Sequence, residues 1–216
     1  MTERKAEAAE RKVEVTERDA QSRGVGAGEA EAVRATKGAR TVEPHVPRIP
    51  PDVRIEAWPA DGLDLLRKAN TPEMTRHLGG PETAEQLARR HLRYLGDLDD
   101  EGPGRMYRIV LLPEGEPVGT VGFWETERRG KPVYEAGWSV LPDFQGRGIA
   151  AAAVHQVLAA AAVEGRHPAV HAFPSAANAA SNAVCRKVGF AFMGTCDVEY
   201  PKGHLIRANE WRATLR

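Results

Sequence analysis

The stretch from Glu135 to Glu164 constrains the fold of this chain more than any other part of it. The residues around its start, 133–141, are rich in Val, Tyr and Trp and stop at a proline, which predicts a short strand. From Ile149 to Val163 only His155 and Gln156 are polar, which predicts a helix buried over most of its circumference. A strand, a glycine-rich turn and a long buried helix in direct succession indicate an α/β (α+β) fold.

The turn between this strand and this helix reads Gln145-Gly146-Arg147-Gly148-Ile149-Ala150. Glycines let the backbone approach a ligand closely, and the N–H groups and dipole at a helix start favour an anion. A P-loop is excluded because Ile149 and Ala150 stand where it has Lys and Ser or Thr, and the three spaced glycines of a dinucleotide-binding loop are missing. The turn therefore predicts a pyrophosphate site of another kind, with a plain glycine turn before a helix as the alternative.

The composition argues against several classes of partner. The 216 residues include 30 Lys and Arg and 30 Asp and Glu, so we expect no nucleic-acid partner and no membrane partner. The sequence has no apolar run of about 18 residues and no apolar core of a signal peptide, and we expect a cytoplasmic protein. Cys185 and Cys196 lack the spacing of metal ligands, so we expect reduced thiols and no metal site.

The first 51 residues differ from the rest of the chain. They contain no Phe, Trp, Tyr or Leu, they are crowded with Arg, Lys and Glu, and they end in several prolines. Such a segment cannot bury enough apolar surface to offset its chain entropy. The sequence therefore predicts a disordered, charged and Pro-rich tail over residues 1–51 and a folded domain over residues 52–216.

Two helix starts are predicted near the beginning of this domain, after a first strand at residues 53–58. Asp61 is expected to cap a short helix, and Thr71 before a proline to cap another. Thr83 and Gln86 predict a capping box that opens a helix to about residue 98. The apolar face of that helix is expected to consist of Leu87, Ala88, Leu92 and Leu95.

The remaining strands are predicted at residues 105–112, 117–125, 169–173, 190–200 and 204–215, with a last helix at residues 181–187. A turn over residues 128–132 leads into the central strand. The long helix makes a right-handed crossover, so the strand after it is expected to run parallel to the central strand. The prediction is a central mixed sheet of about six to seven strands with helices on both faces.

Three motifs carry a resemblance to a known family. Gln145 to Ala150 matches Gln/Arg-x-x-Gly-x-Gly/Ala, and Asn178-x-x-Ser181 and Gly189-Phe190 follow it. Together with the order of elements they resemble the GNAT superfamily of acetyltransferases over roughly residues 53–216. The likeness is greatest to the branch that includes the ribosomal-protein N-terminal acetyltransferases. That likeness rests on Thr71-Pro-Glu-Met-Thr-Arg-His-Leu78, on Glu135-Ala-Gly-Trp138 and on the run from Asn178 to Phe190.

The resemblance implies transfer of an acetyl group from acetyl-CoA, as co-substrate, to an amine in a ternary complex. It implies a splay between strands 4 and 5 that the pantetheine arm fills, near Ser139 and Val140. The Val140 N–H would donate to the thioester carbonyl. Gln145, Gly146, Arg147, Gly148, Ile149 and Ala150 would bind the pyrophosphate, and Asn178 would hold the pantetheine, with a helix cap as its alternative role.

The resemblance also implies candidates for proton transfer. Glu135 matches the position of a glutamate base on the central strand, and a surface glutamate is the alternative. Ser181 is the candidate acid for the departing thiolate, and a helix cap is again the alternative. Many relatives carry a Tyr for this task four residues before the Gly-Phe pair, whereas this sequence has Cys185 at that position. That departure assigns the acid step to Ser181 or to solvent.

Four further residues are expected on the acceptor side of the sheet: Trp124, Glu125, Trp138 and His171. For His171 and Trp138, ordinary core packing is the alternative. The expected acceptor is a small-molecule amine or a peptide N-terminus, and a homodimer is left open. The alternative function is a GNAT-fold adaptor module that binds acyl-CoA without turnover.

Overall fold

The computed structural model describes residues 52–96, 104–200 and 203–215. The predicted tail at residues 1–51 lies outside the described residues. The helices are α1 (Leu63–Ala69), α2 (Pro72–Thr75), α3 (Ala84–Gly96), α4 (Ile149–Glu164) and α5 (Ala179–Val188). The strands are β1 (Val53–Ala57), β2 (Gly104–Leu111), β3 (Glu116–Arg128), β4 (Lys131–Val140), β5 (Ala169–Ala172), β6 (Ala191–Glu199) and β7 (Leu205–Thr214).

The strands form one seven-stranded sheet in the order β1-β2-β3-β4-β5-β7-β6. Only β4 and β5 run parallel, and every other neighbouring pair is antiparallel. The chain leaves β4, forms α4 and returns as β5, as expected for a crossover connection. The predicted mixed sheet is confirmed.

Helices cover both faces of the sheet, and each face has its own apolar cluster. The larger cluster packs α4 and α5 against the sheet and includes Val121, Phe123, Tyr134, Val154, Val157 and Cys185. The second packs α1 and α3 against the other face and includes Trp58, Leu65, Leu66, Leu87 and Met106. We call these the α4 face and the α1–α3 face. Full burial of one large apolar side chain contributes about 1.5–3 kcal/mol, so these clusters hold the layers together.

α4 is buried as its composition predicts, since only His155, Ala159 and Val163 are exposed along its length. The half-buried side chain of Gln156 on α4 contacts the edge strand β1. Gln156 Nε2 donates to the Val53 carbonyl at 2.7 Å, and its Oε1 accepts from the Ile55 N–H at 3.1 Å. Within the described residues β1 is an edge strand, and this side chain satisfies backbone groups on its open side.

Two of the predicted helix starts have the expected geometry. Thr71 Oγ1 accepts from the Met74 N–H at 3.2 Å, with Pro72 at the first helical position. Thr83 and Gln86 form a reciprocal capping box, with distances of 2.7 Å and 3.3 Å. Local sequence alone fixes these features, because each partner is three residues away.

Three local predictions are wrong. The N-cap of α1 is Gly62 rather than Asp61. Leu92 of α3 is 65% exposed, and His91 is buried instead because its Nδ1 accepts from Trp58 Nε1 at 3.0 Å. α5 begins at Ala179, two residues before the predicted start, because Asn178 supplies the cap.

The β3–β4 hairpin is longer than its sequence predicts. β3 continues to Arg128 and β4 begins at Lys131, so only Arg129 and Gly130 form the turn. Both have positive φ, 52° and 71°, which is the backbone of a tight two-residue hairpin turn. This length carries Arg128 across the α1–α3 face to Glu210 of β7 and to Phe173, the residue after β5.

Candidate active site

The connection from β4 to α4 has the backbone shape of an anion-binding turn. β4 ends at Val140, a 3₁₀ turn follows at Pro142–Phe144, and α4 begins at Ile149. Gly146 and Gly148 have φ values of 71° and 86°, which other residues rarely adopt. Gly148 is the N-cap and brings no side chain, and the first turn of α4 carries no acidic residue. The first N–H groups and the positive end of the helix dipole therefore face this turn, an arrangement that suits a phosphate.

Gln145 and Arg147 flank the two glycines. Gln145 Nε2 donates to the carbonyl of Val140 at 2.9 Å and lies 3.3 Å from Met74 Sδ of α2. The Arg147 guanidinium lies over the Phe144 ring, 5.6 Å from its centroid, and the residue is exposed. Gln145 thus ties the turn to the end of β4, and Arg147 places a positive charge at its surface.

The predicted splay lies between β4 and β5. These strands pair only at Tyr134 with Val170 and at Glu135 with His171, although β4 continues to Val140 beside β3. The Leu141 N–H donates to β3, at the Val118 carbonyl. Because successive peptide groups of a strand point to opposite sides, the Val140 N–H points to the β5 side, into the splay. The open edge of β4 therefore ends directly at the glycine turn.

Three of the predicted site residues share the α1–α3 face. Glu135 pairs in register with Trp124 of β3 on one side and with His171 of β5 on the other. Residues opposite each other in a sheet project to the same face, so these three side chains are neighbours. Glu135 and His171 are buried, and Trp124 covers Gly137, where an added Cβ would lie 2.8 Å from the indole. This group sits where the β4–β5 pairing ends.

Glu125 and Trp138 do not belong to this group, so the structure does not bring the four predicted acceptor-side residues together on one face. Strand alternation places both on the α4 face. Glu125 Oε1 lies 3.0 Å from His167 Nε2 and 3.7 Å from Arg166 Nη1. Trp138 packs against the cluster beneath α4. Trp124 is the register partner of Glu135, and its strand neighbour Glu125 faces the opposite side, so the two carboxylates do not form a common acidic patch.

A buried ion network on the α1–α3 face was not predicted. His171 Nδ1 lies 3.1 Å from Glu210 Oε1 of β7, and Arg128 binds both oxygens of Glu210, with Nε 3.0 Å from Oε1 and Nη2 close to Oε2. Arg128 and Glu210 are each 4% exposed. The Phe173 ring stacks on His171 and lies under the Arg128 guanidinium.

Burial alone would raise the pKa of Glu210, but hydrogen bonds from Arg128 and His171 outweigh it and lower the pKa from 4.5 to about 2. The Glu210 carboxylate therefore stays ionised at neutral pH and accepts from its neighbours. No sequence motif announces this network, because Arg128 and Glu210 are 82 residues apart.

The start of α5 follows β5 and is tied to β7. Asn178 Oδ1 accepts from the Ser181 N–H at 3.0 Å, so Asn178 is the helix cap. Asn182, one residue on, is buried and donates to the Ser175 and Asn178 carbonyls, at 2.9 Å and 2.8 Å. Its Oδ1 accepts from Asn209 and Trp211 of β7. Asn182 was also not predicted, and it fixes the segment that carries Asn178 and Ser181 against β7.

Cys185 is part of the core rather than of the splay. It is fully buried in the cluster beneath α4, and burial raises the pKa of its thiol to about 12. Cys185 and Cys196 are both free thiols. Cys185 therefore fills a packing position and does not exchange a proton at neutral pH.

Within residues 52–96, 104–200 and 203–215, no group of three or more His, Cys, Asp and Glu side chains is arranged to hold a metal ion. In the same part of the chain, no helix has the length and apolar character needed to cross a membrane.

The arrangement can bind an elongated ligand with an anionic end. The glycine turn suits a phosphate, and the open edge of β4 offers backbone groups to an extended chain. At the inner end of the splay stand a carboxylate, Glu135, and an imidazole, His171, both able to accept a proton.

Comparisons with known proteins agree with this geometry. The model of the acetyltransferase (GNAT) domain matches residues 52–191. No curated protein matches the chain in sequence.

Solved structures show the same fold at low identity. An acetyltransferase from Salmonella typhimurium that modifies the N-terminal serine of ribosomal protein L7/L12 is 19% identical, with a TM-score of 0.60 over 76% of this chain and 95% of its own. A spermidine N-acetyltransferase from Vibrio cholerae, in complex with CoA and spermine, is 14% identical, with a TM-score of 0.61 over 75% of this chain and 95% of its own. An aminoglycoside acetyltransferase in complex with coenzyme A is 18% identical, with a TM-score of 0.60 over 76% and 95%. With the family model matching well over half of its length, this chain belongs to the GNAT acetyltransferase domain family.

Proposed function

We propose that this protein transfers an acetyl group from acetyl-CoA to a primary amine by direct attack in a ternary complex. The observation that carries the proposal is the splay between β4 and β5, which runs from Glu135 and His171 to the glycine turn before α4. One end of the splay can bind the phosphate groups of a donor, and the other end carries side chains that can accept a proton from an amine. Three structural neighbours support the reaction class: an acetyltransferase that modifies a ribosomal protein N-terminus, and a spermidine N-acetyltransferase and an aminoglycoside acetyltransferase in complex with CoA.

The donor would lie along the open edge of β4. The backbone of Gly146 to Ala150 would bind the pyrophosphate, with Arg147 beside it and Gln145 holding the turn to Val140. The Val140 N–H would donate to the thioester carbonyl, where negative charge develops as the amine attacks. Asn178 would contact the pantetheine from the start of α5, through the part of its amide that does not cap the helix.

The acceptor amine would enter from the α1–α3 face. Trp124 would form an apolar wall, and Glu135 would orient the ammonium group and take its proton, directly or through a water. The departing thiolate would receive a proton from Ser181 or from solvent. Cys185 takes no part in this step, because its thiol lies in the core.

The acceptor is expected to carry little positive charge beyond its amine. The chain has no net charge, and Glu125 lies on the opposite face from Glu135, so no acidic excess would select a polycation. We therefore propose a peptide N-terminus or an amino-acid-like amine. Structural neighbours with this fold act on a ribosomal protein N-terminus and on spermidine, so the fold alone does not distinguish a peptide acceptor from a polyamine acceptor.

Binding and turnover test the proposal separately. At free acetyl-CoA about a hundredfold above its dissociation constant, binding should add ~2.7 kcal/mol, which is a rise in melting temperature of roughly 5–10 °C for a chain of this size. ATP and NAD should give no such rise. Release of free CoA thiol should then be measured across peptides with different N-terminal residues, amino acids and polyamines.

The outcomes distinguish the candidate functions. A thermal shift with thiol release supports the enzyme, and a shift without release from any amine supports the non-catalytic adaptor. No shift with acetyl-CoA, or an equal shift with ATP, contradicts both. Polyamines as the best acceptors would contradict the proposed acceptor class while leaving the reaction in place.

A further inference from the structure

The proposed reaction removes two protons from the acceptor nitrogen. A primary ammonium group must lose one proton before it can attack, and the nitrogen loses a second as the new C–N bond forms and the C–S bond breaks. The sulfur leaves with the bonding electron pair and receives one proton, so the net release is one proton to solvent. A single proton acceptor would have to release its first proton before it could accept the second within one turnover. With two acceptors, each would accept one of the two protons.

We infer that His171, held by Glu210, is a second proton acceptor beside Glu135. This inference rests on the proposed function. His171 is the register partner of Glu135 at the last pair before β4 and β5 separate, so both side chains stand at the inner end of the splay on one face of the sheet. Glu135 takes the proton of the ammonium group, and His171 takes the proton released as the C–N bond forms.

The contacts of His171 fix which nitrogen performs this task. Nδ1 lies 3.1 Å from Glu210 Oε1, and an ionised carboxylate can only accept, so Nδ1 carries the proton. In the neutral ring, Nε2 is then the basic nitrogen. Phe173 stacks on the ring with an interplanar angle of 16° and sets its plane. The imidazole is therefore held in one tautomer and one orientation.

Glu210 is a positioning residue in this scheme and is itself held by Arg128. The guanidinium binds both carboxylate oxygens, so Glu210 cannot turn away from His171. A buried carboxylate that faced His171 alone would be desolvated without full compensation. Arg128 supplies that compensation from the end of β3, which explains why the β3–β4 hairpin reaches across the sheet.

The charged groups around His171 come from three strands and one turn. β4 contributes Glu135, β7 contributes Glu210 and the register partner Arg212, and β3 contributes Arg128. In the β3–β4 turn, Arg129 Nη2 lies 3.8 Å from Glu210 Oε2. These charged groups lie beside His171 or beside its partner Glu210, and the thiol of Cys196 on β6 interacts with Arg128 and Glu210 in turn.

The central test compares the pH dependence of kcat in wild type, His171→Gln and His155→Gln. Glutamine retains a donor for Glu210 but cannot take a proton near neutral pH, and His155 is an exposed histidine of α4 that serves as the matched control. We expect His171→Gln to lower kcat by ~10²-fold or more, with KM and acetyl-CoA binding unchanged. The rise of kcat with pH should change in His171→Gln and persist in His155→Gln.

Rescue separates catalysis from packing. In His171→Ala, added imidazole should restore part of kcat, because the vacated space matches the missing ring. Added imidazole should not restore Glu135→Gln. A His171→Gln enzyme with the wild-type kcat and pH profile, or a His171→Ala enzyme that imidazole leaves unchanged, would overturn the role of His171.

The role of Glu210 needs a variant that folds. Glu210→Gln alone leaves Arg128 buried without its partner, so the informative variant is the double change Glu210→Gln with Arg128→Met, which removes both charges. We expect its kcat to fall less than that of His171→Gln, since the ring is present but no longer fixed. Wild-type kcat in the double variant would overturn the positioning role of Glu210. Failure of wild type to release CoA with any amine would instead contradict the proposed function.

Discussion

At the scale of single residues, Glu135 gives the sharpest prediction for the reaction. Glu135→Gln keeps the shape of a buried side chain but removes the proton acceptor. We expect kcat to fall by ~10²-fold or more, with activity appearing at higher pH, while acetyl-CoA binding stays unchanged. Steady-state kinetics over roughly pH 6 to 10, the range in which amines titrate, would measure kcat and the pH at which activity appears.

The control is Glu127→Gln, on the neighbouring strand β3 but exposed. It should behave as wild type. If Glu135→Gln shows an unchanged pH profile, Glu135 has a structural role only.

Gly148 gives a second prediction at this scale. Its φ of 86° is one that other residues rarely adopt, and it lies in the turn proposed to bind the pyrophosphate of acetyl-CoA. Gly148→Ala should cost on the order of 1–3 kcal/mol of stability, from the strained backbone, and should also weaken acetyl-CoA binding. Gly115→Ala is the matched control, since Gly115 has φ 76° and open space around its Cα in the β2–β3 connection. Its stability should fall similarly, with binding unchanged. Equal binding by both variants would argue that the glycine turn does not hold the donor.

Residue-level prediction from sequence works where the partners are close in the chain. Thr71, Thr83 and Gln86 were predicted correctly because each cap depends on residues three positions away. Glu210 was missed because its meaning depends on Arg128 and His171, which a strand topology brings together. Glu125 was assigned to the wrong face because the exact register of β3 is needed to tell one face from the other.

At the scale of elements, the Arg128–Glu210 pair ties the end of the β3–β4 hairpin to β7. Arg128→Leu leaves the Glu210 carboxylate buried with His171 and the more distant Arg129, so unfolding free energy should fall by about 3–5 kcal/mol. Arg207→Leu breaks the exposed Arg207–Asp197 pair between β6 and β7 and should cost only about 0–1 kcal/mol. Urea unfolding of both variants would measure the difference, and similar losses would mean that the buried pair contributes no more than an exposed one.

Elements themselves were mostly predictable, since the periodicity and the turn residues agree along the chain. The mixed sheet and the parallel β4–β5 crossover were predicted from the strand pattern and the long helix between them, whereas the placement of β7 between β5 and β6 was not. The end of β3 was not predictable, because Arg129 adopts a positive φ that its residue type does not signal. That single turn decides how far the hairpin extends.

At the scale of the whole molecule, Glu210 predicts how stability depends on pH. Its pKa falls from 4.5 to about 2 on folding, so its contribution is present above pH 4.5 and is lost as the pH falls from there toward 2. Urea midpoints between these limits should therefore decrease more steeply for wild type than for the double variant Glu210→Gln with Arg128→Met. Parallel curves would contradict an ionised Glu210 in the folded protein.

The contact between Gln156 and β1 has a consequence for association. A sheet grows by adding a strand at an edge, and this side chain occupies the Val53 carbonyl and the Ile55 N–H that a newcomer at β1 would need. Within the described chain, growth is then directed to β6 at the opposite edge, where Phe192 and Met193 are exposed. A subunit that can pair through only one sheet edge forms closed dimers and not open filaments. One glutamine thus limits how many copies any edge-to-edge assembly of this protein can contain.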